Sequence, residues 1–443
     1  MKKIALLLTA LLGLLLLPAC TKTGGEPEEV SGDFFPLISG SSSSYRIVYP
    51  ADAGEQVKKD AASLRAAIFK ATGVKLALAD DASAPSGHEI IVGATTRPGT
   101  ASALAGFPDD YAFCISKVGE DVVIAASDER ILSYALYDFD KNVLSQKSRA
   151  KAGMLRIEAG DFKLRSLGGP LTLKHLMGTR MYYKTGVREF ATSGPSPESG
   201  VTSTQGAVSD GEYMYFAFRD YADNGAGDTG VWSVIVKDRI TANGLERVAA
   251  TEKFVGGHAN SMAYCDTDGL LYLVAANNSG GVVRVDPKTM TVVDTKYYMP
   301  APTAITFNKA QGRFLMRSGS TLVIADASLS NTLATVKRTD GSQYVTQGVG
   351  SDDMYCYFPM SPSSTNGTEN NNQLLVYDWA GKFIQTLTVD LPYESEDMFT
   401  VGSRYFINFA GSKAVGHRVY ELVITDYFYR TKLSVAGAAL LDE

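Results

Sequence analysis

The chain has little with which to build covalent or metal cross-links: its 443 residues include four cysteines and four histidines. Cys114, Cys265 and Cys356 lie far apart, each among apolar or aromatic neighbours, so they make no disulfide framework and read as buried thiols. His88, His175, His258 and His417 include no two at a metal-ligand spacing, which argues against a zinc site. A basic excess is missing too. Lys and Arg total 42 against 48 Asp and Glu, a formal net charge of −6 that attracts neither nucleic acid nor anionic lipid. Beyond the first twenty residues no apolar stretch is long enough to span a membrane. No cofactor is expected.

What is present starts with a leader. Met1-Lys2-Lys3 precedes an apolar run over 4–17 and then Pro18-Ala19-Cys20, the three parts of an export signal. A Cys directly after a small residue at that site resembles a bacterial lipobox, although Pro18 departs from the commoner small or branched residue. The resemblance implies removal of residues 1–19 and acylation of Cys20. Residues 20–44, rich in Gly, Glu and Ser, read as a flexible tether. The expectation is an envelope protein held by lipid alone at the outer membrane, on either its surface or its periplasmic side.

Residues 45–150 carry the texture of a small α+β domain. A strand at 45–49 leads to an amphipathic helix with Val57, Ala61, Leu64 and Ile68 on one face and Gly73 as its stop. Strands follow at 75–79, 89–93, 111–115 and 122–125, and a helix over 130–144 closes the order β-α-β-β-β-β-α. That order, with Ala71-Thr72-Gly73, the run from Glu89 to Arg97 and the closing run from Tyr134 to Phe139, resembles the small N-terminal domain that precedes the catalytic barrel in α-glucuronidases and β-hexosaminidases. The resemblance implies a glycan setting and brings no catalytic residue. A generic α/β sandwich is the alternative. The segment 160–169 resembles the strand that leads into such a barrel, yet no alternation of strands and helices follows it.

Instead, one phrase recurs five times at intervals of roughly 43 to 54 residues: a polar residue, a short apolar run, a turn and a second strand, as in propeller blades. The phrases open at Gln205, Asn260, Thr303, Gln347 and Glu396. Each is followed by a further strand pair, often joined by an Asp turn such as Asp286-Pro287-Lys288, Asp326-Ala327-Ser328 or Asp378-Trp379-Ala380-Gly381. The expected architecture is therefore mainly β, the small α+β domain followed by a five-bladed β-propeller over 201–435. Residues 151–200 form a connector, with 181–190 and 427–435 as candidate closing strands and a sixth, degenerate blade over 165–200 as the alternative.

In a propeller the first strand of each blade lines the axis, so Gln205, Asn260, Thr303, Gln347 and Glu396 are expected to converge, with Thr204, His258, Thr346 and Glu394 just outside them. Amides, hydroxyls and carboxylates in a ring suit sugar hydroxyls, and with His258 they form the candidate ligand set. The same groups equally suit hydrogen bonding between neighbouring blades. His258, between paired glycines and Ala259, is one weak catalytic candidate; Glu394 and Glu396 are the others, too close along one strand to flank a glycosidic bond. Asp220, Asp223 and Asp228 crowd a glycine-rich loop as weak metal candidates without EF-hand spacing. Tyr221, Trp379 and Tyr393 are candidate stacking aromatics, and 361–372 is a long polar insertion.

These readings favour a lipid-anchored, non-catalytic glycan or glycoconjugate binder of the kind used in polysaccharide utilisation. Alternatives are a glycan-active enzyme, either glycoside hydrolase or polysaccharide lyase, and a platform for an envelope protein partner. The leader yields a first prediction. Cys20→Ser should abolish incorporation of a labelled fatty acid and move the protein from the membrane to the soluble fraction; retention of both label and membrane association would refute acylation at Cys20.

Overall fold

Short apolar runs bounded by turn residues recur along the chain, and the computed structural model is accordingly mainly β, with many antiparallel sheets and parallel pairs only within the small unit. It describes residues 34–193, 201–220, 232–242, 244–276, 280–338, 345–362, 372–389, 391, 393–410 and 417–429. No helix among them is long and apolar enough to cross a membrane.

The small unit begins earlier than the polar tract suggested. β1 (Phe34–Ser39) buries Phe35, Leu37 and Ile38, and so belongs to the core where a tether was expected up to residue 44. Next come β2 (Arg46–Tyr49), α1 (Glu55–Thr72), β3 (Ala77–Asp80), β4 (Glu89–Val92), α2 (Pro98–Leu104), β5 (Ala112–Val118), β6 (Asp121–Ala126) and α3 (Glu129–Phe139). α1 buries Val57, Ala61, Leu64 and Ile68 and stops at Gly73, whose φ of 75° only glycine adopts without strain. Asp128 caps α3, its carboxylate accepting from the amides of Arg130 and Ile131 at 2.8 and 2.9 Å. The unexpected α2, started by Pro98, covers the second face of the sheet over Ile91, Cys114 and Val123. β7 (Ala150–Lys151) and β8 (Met154–Glu158) form a sheet with β1, and β9 (Lys163–Ser166) extends the main sheet, in order β3-β2-β4-β6-β5-β9. The unit thus reaches well past residue 150, through the short α4 (Leu173–Leu176).

The rest of the described chain forms five further sheets. After β10 (Met181–Ser193), the first contains β11 (Val201–Ser209), β12 (Tyr213–Asp220), β13 (Trp232–Thr241) and β14 (Gly244–Ala250), with β15 (Phe254–Val255) beside β13. The second is β16 (Ser261–Cys265), β17 (Leu270–Val274), β18 (Gly281–Asp286) and β19 (Thr291–Tyr297). The third is β20 (Ala304–Asn308), β21 (Arg313–Ser318), β22 (Thr321–Asp326) and β23 (Thr332–Lys337). The fourth has a broken inner strand, β24 (Val345–Thr346) and β25 (Gly350–Ser351), followed by β26 (Tyr355–Ser361), β27 (Asn372–Asp378) and β28 (Phe383–Val389). The fifth runs β29 (Glu394–Val401), β30 (Arg404–Ala410) and β31 (His417–Tyr429), and β10 supplies its outer edge.

Local chemistry fixes the hairpins. Asp210, Asp268 and Asp352 each cap the turn after an inner strand by accepting nearby amides, and each also accepts the hydroxyl of a tyrosine on the next strand: Tyr215 at 2.7 Å, Tyr272 at 2.6 Å and Tyr357 at 2.7 Å. The second set of turns follows the Asp pattern read from sequence. Asp286, Asp326 and Asp378 accept from the amides of Lys288, Ser330 and Lys382 at 2.8, 3.0 and 2.8 Å.

Both faces of these sheets are apolar, and each buries them against its neighbours. One core cluster lies between each successive pair. Tyr215 and Ile235 meet Met262 and Leu273; Tyr272 and Val274 meet Ile305 and Phe314. Leu315 and Ile324 meet Phe358 and Tyr377; Tyr357 and Val376 meet Ile407 and Tyr420. The fifth cluster returns to the start, with Phe399 and Phe406 against Phe216 and Val234. The inner strands pack in the same closed cycle, β11 on β16, β16 on β20, β20 on β25, β25 on β29 and β29 on β11.

β10 makes the fifth sheet from residues that precede the first, pairing with β31 from Met181 opposite Tyr429 to Ser193 opposite His417. Residues 181–193 are therefore a closing strand and not part of a sixth sheet, while 427–429 end a third strand; 430–435 lie outside the described residues. Glu421 on β31 fastens the seam. Burial opposes its charge, but Arg404, at 2.8 and 3.0 Å, and Arg188 on β10 both donate to it and hold its carboxyl below the ordinary range. Glu421→Ala should cost about 1–3 kcal/mol. Amide exchange should quicken first in 181–193; unchanged exchange there would deny Glu421 this role.

Candidate functional site

Three of the five phrase-opening residues sit where an inner strand's ladder is interrupted. The β11 register shifts between Thr204 and Ala207, leaving Gln205 and Gly206 in a bulge, and the β29 register shifts between Ser395 and Asp397, leaving Glu396 in another. Gln347 lies in the gap between β24 and β25, and Asn260 and Thr303 stand just before β16 and β20. A bulge bends its strand and re-aims a side chain, which is how an extended chain brings polar groups together at one end of an axis.

Hydrogen bonds bring these positions together. The Asn260 amide donates to the carbonyls of Thr303 at 2.8 Å and Gln347 at 3.0 Å, crossing from the second sheet to the third and fourth. Gln347 donates to Glu394 at 2.6 Å, Gly348 N–H to the Glu396 carbonyl at 2.6 Å, Gly206 N–H to the Ala259 carbonyl at 2.8 Å, and Asn408 to the Gln205 carbonyl at 2.8 Å. Gln205, Asn260, Gln347 and Glu396 are 2, 6, 9 and 2% exposed, so these four face one another more than solvent. Thr303 is half-buried. Their geometry first of all ties sheets together.

Sequence reasoning passed over the residue at the centre. Asp397 is fully buried, and its Oδ2 accepts from the amides of Ala207 and Met262, both at 3.0 Å, on β11 and β16. Its Oδ1 accepts from the Ser261 hydroxyl at 3.3 Å and the Met398 amide at 3.1 Å, and the Ile305 amide on β20 donates in turn to Ser261 Oγ at 3.2 Å. Burial pushes this carboxyl well above the ordinary range while the amides of Ala207, Met262 and Met398 pull it back. A signal did exist. The residues after the five openers are Gly206, Ser261, Ala304, Gly348 and Asp397, four small residues around one acid. A Cβ on Gly348 would overlap the Asp397 carboxylate.

Beside it, burial pushes the Glu396 carboxyl well above its ordinary range, with Glu394 and Asp397 adding to the rise and Arg219 opposing it. Thr204, expected outside the ring, is fully buried. His258, Thr346 and Glu394 are half-buried, as are Arg338 and Tyr393. Arg317 donates to Thr303 Oγ1 at 3.0 Å and to the Thr346 carbonyl at 3.1 Å, and Arg338 donates to Thr346 Oγ1 at 3.1 Å while lying 5.3 Å from the Phe358 ring centre. The His258 amide donates to the Ala275 carbonyl at 2.7 Å, an approach that the left-handed Gly257, φ 61°, leaves room for.

Other candidates fall elsewhere. Trp379 is buried, its indole N–H donating to the Asp352 carbonyl at 3.1 Å, so it is not the exposed stacking platform that its turn suggested. Tyr221, Asp223, Asp228 and most of 361–372 lie outside the described residues, and Asp220 ends β12. Arg284 pairs with Asp294 at 2.6 Å, on β18 and β19. Cys114, Cys265 and Cys356 are buried thiols, and burial raises the pKa of each.

The small unit meets the sheets at the opposite end from the openers. Lys174 pairs with Asp353, in the turn between β25 and β26, at 2.6 Å, and Leu173 and Met177 pack into the cluster between the fourth and fifth sheets. Gln385 on β28 accepts from the Gly178 amide at 3.2 Å and hydrogen-bonds Tyr183.

No family model matches the chain, and no curated protein matches it. Among solved structures it is similar to a chain of Kuenenia stuttgartiensis hydrazine synthase, at 12% identity and a TM-score of 0.31 over 53% of this chain and 66% of that one, just under two thirds of its length. It is also similar to U3-55K, at 9% identity and a TM-score of 0.32 over 55% of this chain and 85% of that one.

Asp397→Ala strands four donors in a dry interior and should cost about 3–5 kcal/mol, measured by chemical denaturation. A variant as stable as the parent would mean the inner strands hold together without it.

Proposed function

We propose that residues 181–429 form a five-bladed propeller, sealed by β10, that serves a lipid-anchored envelope protein as a non-catalytic binder of a glycan or glycoconjugate. Five inter-sheet clusters in a closed cycle support five blades. The leader ending at Cys20 supports the anchor.

One observation carries the binding face. The small unit occupies the Asp353 end of the sheets, so the end where the inner strands begin is the one it leaves to a ligand. There Thr303, Arg338, Tyr393 and Glu394 stand half-buried around the closed ring, offering a hydroxyl, a guanidinium, an aromatic ring and a carboxylate. Recognition is favoured over acid–base chemistry because Glu396 is dry and Glu394 is engaged by Gln347 at 2.6 Å. Such a rim suits hydroxyl-rich ligands, with Arg338 able to meet a uronate or sulfate.

Calorimetric titration against neutral and acidic polysaccharides tests this reading. Thr303→Ala, Arg338→Ala and Tyr393→Ala should each weaken binding by about tenfold or more, as expected for the loss of one directed contact worth about 1–2 kcal/mol, while Lys174→Ala at the far end leaves it unchanged. Equal effects at both ends, or no binding to any polymer, would refute it.

A further inference from the structure

The seam between the first and fifth sheets contains two buried acceptors that need a proton between them. Gln205 and Glu396 are bulge residues on β11 and β29, strands packed against each other. The Gln205 nitrogen is committed: it donates to the Thr204 carbonyl at 2.9 Å and to Ser203 Oγ at 3.3 Å, which fixes the amide's orientation. Its Oε1 is therefore the atom left over, buried and without a partner, and Glu396 Oε2 is buried without a partner as well. The two side chains lie within hydrogen-bonding reach. An ionised carboxylate facing an amide oxygen repels it and leaves both unsatisfied in a dry interior.

We propose that Glu396 is held as the neutral carboxylic acid, its hydrogen donated to Gln205 Oε1, and that this shared proton locks the first sheet to the fifth. The surroundings favour the neutral form. On its own strand Glu396 has Glu394, engaged by Gln347, and Asp397, engaged by four donors. β11 and β25 carry no titratable group. Those of β16, β26 and β30, namely Tyr264, Cys265, Tyr355, Cys356, Tyr357, Arg404 and Tyr405, lie toward the far ends of their strands. The Gln205 side chain and Arg219 on β12 both act to lower the Glu396 pKa, and burial with the two acidic neighbours outweighs them.

The sign of the pH dependence follows. At low pH Glu396 keeps its proton in folded and unfolded chains alike. As pH rises past the ordinary glutamate range the unfolded chain releases it first, so the folded state loses stability, by about tenfold in the unfolding equilibrium per pH unit, until the folded chain releases it too. In Glu396→Gln an amide N–H replaces the acid O–H, and this contribution disappears. Unfolding equilibria of the full chain and of Glu396→Gln, measured from pH 4 to 9, should diverge with rising pH in favour of the variant. The parent's infrared spectrum should hold an acid carbonyl band at neutral pH that Glu396→Gln lacks. Should that variant fail to fold, Gln205→Met serves, because loss of the acceptor moves the same band to higher frequency. Parallel pH profiles, absence of the band, or a band unmoved in Gln205→Met would overturn the proposal. So would stabilisation by added calcium in the parent alone, which would place a cation where the proton is assigned.

Discussion

A carboxylate with no water around it must find its donors in the protein, and Asp397 finds them on several strands at once. Two amides from β11 and β16, one hydroxyl from β16 and one amide of its own strand converge on its two oxygens. Inner strands can approach that closely only because glycine, serine and alanine stand at the matching positions. The arrangement is demanding in both directions. Without the carboxylate the amides are stranded, and without the small residues the carboxylate has no room.

The same crowding explains the ring of openers. Where inner strands draw together their ladders break, and the freed carbonyls and amides need side-chain partners. Asn260 supplies the carbonyls of Thr303 and Gln347 and Asn408 that of Gln205, while Gln347 donates to the Glu394 carboxylate. Polar residues at this end are thus spent on cohesion in the centre, and groups that remain half-buried, such as Thr303, Arg338 and Tyr393, stand at the margin. Half-buried groups at the margin and closure at the centre are two layers of one polar end.

Closure at the outside uses charge. Glu421, with Arg404 and Arg188, holds a strand from before the first sheet against the last, so five sheets that each need two covered faces all obtain them. Attachment of the small unit adds a second tie, through Leu173, Met177 and the Lys174 pair with Asp353. Ile424 on β31 packs against both this junction and the small unit's own core.

Much was legible beforehand. Helix α1 and its stop at Gly73 followed from apolar spacing and glycine's backbone freedom, and the turns at Asp286, Asp326 and Asp378 from the Asx preference, since all these are local effects. β1 was missed because the serines around it outweighed its five apolar residues, and its partner β8 lies far along the chain. Trp379 was misjudged because a turn residue is usually exposed, and only packing against the Asp352 turn buries it. Sequence by itself determined the repeat, its register and which residue types open each phrase, because strand periodicity and turn chemistry act between neighbours. Tertiary structure alone decided that four of the five openers are buried, that Asp397 rather than any of them is the centre, and that β10 closes the fifth sheet. Those outcomes depend on which desolvated groups meet across strands hundreds of residues apart, where no local preference reaches.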